Sequence, residues 1–259
     1  MSHHLLRVEN LVYAYQPSRP VLEGISFEIR HGESVGIIGA NGAGKSTLLL
    51  LLTGVLQPDS GQIKVGDVQL TAKSLPSVRQ RLGLVFQDPD DQLFMPTVYD
   101  DVAFGPRNSG LSEAEAAART EWALEMAGIS GLRDRPPFRL SGGEKRAASI
   151  AAVLSMEPDI LILDEPSASL DPRTRRRLIS LLRQFEHTRI ITSHDLDLIL
   201  ETCERTIILD RGKIAASGRT RDVLADAALL ESAGLELPLA CQSCPVCGSP
   251  KYTNIDFDI

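Results

Sequence analysis

Short runs of β-branched and aliphatic residues alternate along this chain with longer stretches of helical apolar spacing. The pattern predicts an α/β fold with parallel strands in its core. Residues 35–38, Val-Gly-Ile-Ile, read as a buried strand that runs into a glycine-rich loop. Leu48, Leu49, Leu50, Leu51 and Leu52 follow and suit the start of a buried helix. Residues 160–163 and 189–192 read as two further strands, each ending in polar residues, where α/β sheets place ligands. Between the first and second of these strands, residues 95–139 carry more helix than strand signals and predict an inserted lobe. Ser112 and Glu115 have the spacing of a capping box, and an alanine-rich run extends from them to Ala127 before Gly128 stops it. Pro136 and Pro137 then break any helix ahead of Leu140-Ser141-Gly142-Gly143-Glu144. Residues 1–238 are expected to form one domain with the lobe inside it, and residues 239–259 a separate tail.

Composition excludes several classes. With 43% hydrophobic and 24% charged residues in 259, the chain matches a globular domain and neither a fibrous nor a disordered one. Lys plus Arg number 27 against 34 Asp plus Glu, and the net charge of −7 gives no general attraction to nucleic acid or anionic lipid. No unbroken apolar run exceeds five residues, far short of the ~20 that a bilayer span needs. The opening residues show no basic stretch followed by an apolar one, so a cytoplasmic location is expected. Arg173, Arg175, Arg176 and Arg177 form the one basic run; without interleaved aromatics it reads as a solvated helix face.

The chemistry lies in the loop after the first strand. Gly39-Ala40-Asn41-Gly42-Ala43-Gly44-Lys45-Ser46 matches the phosphate-binding loop pattern in full, with Thr47 next in line, and stands between a predicted strand and a predicted helix. Glycines let backbone N–H groups converge on phosphate oxygens, and the new helix adds the positive end of its dipole. Lys45 supplies a point charge to the outer phosphates, and Ser46 an oxygen for Mg²⁺. Asp164, ending the strand at 160–163, is placed to hold Mg²⁺ directly or through water. The adjacent Glu165 suits a general base that deprotonates an attacking water, which favours hydrolysis over simple nucleotide binding.

On these residues, together with residues 140–144, the chain resembles the ATP-binding cassette family. Tyr15, the phosphate loop, Gln87, the segment 140–144, Asp164 and Glu165, Ser169-Leu170-Asp171 and His194 stand in the family's order at family-like separations. The resemblance implies a phosphate-loop core with a parallel sheet, an antiparallel β subdomain and an inserted helical lobe. It implies that Tyr15 stacks on adenine, that Gln87 contacts Mg²⁺ and the attacking water, and that His194 grips the γ-phosphate. Ser141, Gly142 and Gly143 open a predicted helix and so offer a second anion site. In the family this site serves the ATP of an opposing cassette, the segment from Ser169 to Asp171 is the loop that touches that cassette, and the partner is an identical chain or a paralogue. Residues 85–106 are similar to the ATPase subunits of energy-coupling-factor importers, nearest the cobalt and nickel branch. This implies a transmembrane coupling subunit, a substrate-binding membrane subunit, and residence at the cytoplasmic face of the membrane. Asp88, where that group often has asparagine, and Glu144, where glutamine is common, depart from the pattern. Asp90, Asp91, Asp100 and Asp101 are expected to be solvated loop acids. A soluble cassette ATPase of DNA repair or translation and a phosphate-loop kinase are the rival classes. The first usually carries long insertions or a second cassette, and the second leaves the 140–144 segment and His194 unused. In the tail, Cys241, Cys244 and Cys247 supply three thiols where structural zinc usually takes four ligands, so a reduced segment is expected there rather than a zinc site.

Overall fold

The structure, a computed structural model, describes residues 4–242. Strands β1 (His4–Gln16) and β2 (Arg19–Arg30) form a long antiparallel pair. After β3 (Ser34–Ile38) come helix α1 (Lys45–Leu52), strands β4 (Ser60–Val65) and β5 (Val68–Gln69), helix α2 (Leu75–Arg81) and strand β6 (Leu82–Val85). The lobe holds α3 (Val98–Asn108) and α4 (Glu113–Met126), and leads into α5 (Gly142–Leu154). Strand β7 (Ile160–Asp164), α6 (Pro172–Gln184), β8 (Thr188–Thr192), α7 (Leu196–Thr202), β9 (Arg205–Asp210), β10 (Lys213–Arg219), α8 (Thr220–Ala225) and α9 (Ala227–Ser232) complete it.

Two sheets result. One is antiparallel, in the order β2-β1-β4-β5, and the other runs β10-β9-β3-β8-β7-β6. In the second, β6, β7, β8, β3 and β9 are mutually parallel, and only β10 is antiparallel. This is the expected parallel core with an antiparallel β subdomain and a helical lobe. Alternation along the parallel strands divides the interior in two. Ile160 and Ile162 of β7 face α1 and the antiparallel sheet, while Leu161 and Leu163 face α5, α6 and α7. Leu48, Leu49, Leu51 and Leu52 of α1 belong to the first cluster and are fully buried there. The central sheet thereby holds α1 on one face and the helices after residue 140 on the other. The C-terminal ends of β3, β7 and β8 point to one edge.

Strand β6, outside the 95–139 stretch, is a further strand of the central sheet that the pattern did not single out. Two local expectations meet a correction. Asp101 is buried, not a solvated acid: its Oδ1 accepts the amide protons of Phe94 and Met95 at 2.9 and 3.0 Å. Arg175 is not part of a solvated face either, since it is half-buried and doubly ion-paired. The signal missed in both cases is tertiary: an amphipathic pattern shows which side of a helix faces water, and not which charge finds a partner behind it.

Candidate nucleotide and catalytic site

The phosphate loop turns on glycine geometry at two positions. Gly39 lies against the carbonyl of Leu209 with no space for a Cβ. Gly44 takes φ 105° at the N-cap of α1, a left-handed conformation that glycine adopts without penalty. No side chain caps α1, so the amide protons of its first turn are left for an anion. Lys45 opens the helix at 7% exposure and bends back on its own loop, with Nζ donating to the carbonyl of Gly39 at 2.8 Å and of Ala40 at 3.3 Å. Burial lowers its pKa, and the carboxylates of Glu165 and Asp164 act against that fall. Ser46 is exposed beside it, and Thr47 is buried.

The ends of β7 and β8 bring the acidic residues to this lysine. Asp164 closes β7, and its Oδ1 accepts from the Thr192 hydroxyl at 2.6 Å. Glu165 follows at φ 47°, a left-handed conformation that costs a non-glycine residue roughly 1–3 kcal/mol. It is held there by its amide donating to the Thr192 carbonyl at 3.0 Å. The residue is 7% exposed, and its Oε2 accepts the amide proton of His194 at 2.9 Å. His194 Nε2 stands 3.1 Å from Oε1 but off the hydrogen-bonding direction, which leaves Oε1 a buried acceptor without an aligned donor. The same Nε2 lies 3.5 Å from Lys45 Nζ. His194 thus touches both Lys45 and Glu165, and so joins residues from three separate elements into one group.

Tyr15 is exposed, at 59%; its hydroxyl lies 3.3 Å from Thr47 Oγ1, and its ring meets Tyr13 edge-on at 5.0 Å. With Gly42, Arg19, Glu23 and Arg211 it lines a cleft of ≈ 500 Å³. An exposed flat ring over a cleft that opens onto the phosphate loop suits base stacking. Gln87 is exposed in the loop after β6. The residue that fixes this loop was not legible in the sequence. Arg146 of α5, only 3% exposed, donates to the carbonyls of Phe86, at 2.6 Å, and Gln87. Gln92 adds a bond to the Ser149 carbonyl at 2.7 Å, and Lys145 pairs with Asp90 at 2.6 Å.

Ser141, Gly142 and Gly143 stand apart from the lysine group. Ser141 caps α5, its hydroxyl and amide both donating to Glu144 Oε2 at 2.8 Å. These bonds hold the Glu144 carboxyl below its ordinary pKa. Gly142 is exposed and Gly143 half-exposed. Asp171 caps α6, accepting from the amides of Arg173 and Thr174 and from the Thr174 hydroxyl.

The amino-acid pattern of the ABC transporter family matches residues 22–168. The chain belongs to this family. It is 57% identical over 248 residues to a protein of Geobacter sulfurreducens that bears the name of an ABC transporter ATP-binding protein, covering 96% of this chain and 100% of that one. The energy-coupling factor transporter ATP-binding protein EcfA of Methanothermobacter thermautotrophicus is 43% identical over 239 residues, covering 90% and 77%. The solved structure of cbiO1 from Clostridium perfringens, described as part of the ABC transporter complex cbiONQ, superposes with a TM-score of 0.80. It is 38% identical, and the match covers 89% of this chain and 94% of that one. The present chain is therefore an ABC transporter ATP-binding subunit, an ATP-hydrolysing cassette. No helix among the described residues is long and apolar enough to cross a membrane. Nor does any group of three or more His, Cys, Asp or Glu among them suit a metal ion; Cys241 is exposed, and Cys244 and Cys247 lie outside the described residues.

Proposed function

We propose that this chain energises a membrane importer of the energy-coupling-factor type, its cassette spanning residues 1–238. One observation carries the catalytic part: Oε1 of the buried Glu165 is an acceptor with no aligned donor, beside Lys45 and His194. A carboxylate so held takes a proton from a water entering between it and a bound γ-phosphate. Lys45 exchanges its bonds to Gly39 and Ala40 for phosphate oxygens, and His194 donates from its ring to the same group. The backbone strain at Glu165 and the bond from His194 N–H keep the carboxylate aimed.

The donor set near the phosphate loop fits magnesium, since Ser46, Asp164 and the amide of Gln87 offer hard oxygens. They are too few to hold the ion without nucleotide oxygens. When bound, Mg²⁺ would neutralise charge on the β- and γ-phosphates.

Pairing of cassettes is supported by the division of the site. His194 engages both Lys45 and Glu165, whereas Ser141 engages its own helix cap, with an exposed helix N-terminus free for a phosphate from elsewhere. A second copy of the chain, or a paralogue, would supply that phosphate, with Asp171 near the seam. Coupling to the membrane is supported by Phe94 and Phe104, an exposed edge-to-face pair 5.0 Å apart beside the loop of Gln87. The resemblance of residues 85–106 to energy-coupling-factor subunits supports a transported micronutrient, with cobalt or nickel the first to assay. Affinity purification from membranes should bring down an integral coupling subunit and a substrate-binding membrane subunit. Reconstituted with them, the chain should hydrolyse ATP in step with solute uptake. Recovery with ribosomes or DNA, or hydrolysis that needs a small phosphate acceptor, would overturn this reading.

A further inference from the structure

His194 belongs to the catalytic group, yet its ring is half exposed and rests on a short loop between β8 and α7. Something must fix that loop from outside the group. The next residue, Asp195, is gripped by Arg175: Nε donates to Oδ2 at 2.5 Å and Nη2 to Oδ1 at 3.0 Å, while Nη1 donates to Glu201 at 3.1 Å. The fork is bidentate and half-buried, the geometry in which Arg outperforms Lys. Asp195 also caps α7, accepting from the Leu198 amide at 2.9 Å, and its own amide donates to Ser193 Oγ at 3.0 Å. Arg175 in turn sits one helical turn from Asp171, and its amide donates to the Asp171 carbonyl at 2.9 Å. A continuous chain of contacts therefore runs from Asp171 through Arg175 and Asp195 to the backbone of His194.

We infer that Arg175 is a positioning residue for hydrolysis, which sets His194 in place from helix α6 and ties it to the loop carrying Asp171. Arg175 reaches no reacting atom. It acts by holding Asp195, and so fixes the height of the imidazole over the phosphate loop. A contact made at Asp171 is thereby transmitted to His194 through one turn of helix. This inference rests on the catalytic reading of His194 given above.

Arg175→Met, Arg175→Lys and Asp195→Asn in the full chain test it, alongside His194→Ala. Misplacing one catalytic group by about 1 Å costs up to roughly 100-fold. Arg175→Met should accordingly lower kcat about 10- to 100-fold while KM for ATP stays within about twofold, the split expected when only transition-state contacts are lost. Arg175→Lys, which keeps the charge but loses the fork, should fall between it and the parent, and Asp195→Asn should match Arg175→Met. In imidazole NMR spectra the His194 signals should shift or broaden in Arg175→Met, with those of His31 and His187 as internal references. In a His194→Ala background Arg175→Met should lower the residual single-turnover rate no further. Parental turnover in His194→Ala would overturn the catalytic reading and this inference with it. An inactive His194→Ala, paired with an Arg175→Met whose kcat and His194 signals are those of the parent, would overturn this inference alone. So would a further multiplicative loss in the double variant.

Discussion

The two regions proposed above to bind phosphate are built in opposite ways. Around Lys45 the lysine and the carboxylate are buried and held in place: lysine on loop carbonyls, Glu165 on the His194 amide, and the half-exposed imidazole in reach of both. Around Ser141 the helix start is exposed and satisfied only by its own Glu144. The first is a preassembled reaction centre whose geometry the sheet enforces. The second is a self-capped helix end, stable without a ligand and ready to exchange one hydrogen bond for another. The difference teaches that chemistry and control are placed in separate parts of the fold, and that the part awaiting a partner is the part left open to solvent.

The largest test of this contrast is Glu165→Gln. The amide oxygen can still accept from His194 N–H, so nucleotide binding should persist while turnover falls ~10²–10⁴-fold. Equilibrium titration beside steady-state hydrolysis separates the two, and turnover near the parent's would refute the preassembled centre. Complementation probes the sharing of sites. Ser141→Arg fills the exposed helix start, and alone should be as inactive as Glu165→Gln. When two copies of this chain pair, an equal mixture of the two variants restores one intact centre in half of the pairs. Turnover should then recover to about a quarter of the parental value. No recovery on mixing would mean that each chain works with its own two regions. Next in size is Tyr15→Ala. Loss of about 1–3 kcal/mol of stacking should weaken ATP binding by roughly 5- to 150-fold, while tripolyphosphate binding is unchanged. Equal weakening of both would place Tyr15 in the structure of the loop and not on the base.

The smallest effect lies at the self-capped end. Its bonds to Ser141 lower the Glu144 pKa in the folded state, so they stabilise the fold fully above the ordinary glutamate pKa, and that contribution is lost as pH falls through the depressed value. The thermal midpoint of the parent should exceed that of Glu144→Ala at neutral pH, with the gap closing in acid. A gap that is constant with pH would show that the carboxylate plays no part in the cap.

Much of the scaffold could be read from local pattern. Gly39, Gly44 and Lys45 announce themselves because a phosphate loop needs those residue types at fixed spacing, and Ser112 with Glu115 because a capping box is contained within one turn. Strands β3, β7 and β8 were legible as buried runs at 35–38, 160–163 and 189–192, within a residue of their observed bounds. What escaped were charges whose partners lie outside their own helix. Arg146 meets carbonyls about 60 residues away, Arg175 a carboxylate 20 residues on, and Asp101 two amides in a preceding loop. In sequence each resembles an ordinary surface charge, and only the packing of helices against the sheet edge reveals its use. The strain at Glu165 was likewise invisible, since φ is set by the junction of β7 with β8 and not by residue type.

The anchoring of the Gln87 loop has a consequence for how this molecule yields under stress. Separating that loop from α5 would strand the guanidinium of Arg146 in an apolar interior, at a cost of several kcal/mol. Although residues 86–88 are exposed to water, their detachment should therefore be as rare as loss of α5 itself. Hydrogen exchange and protease nicking should find in this stretch the resilience of the protein's centre, despite its place on the rim.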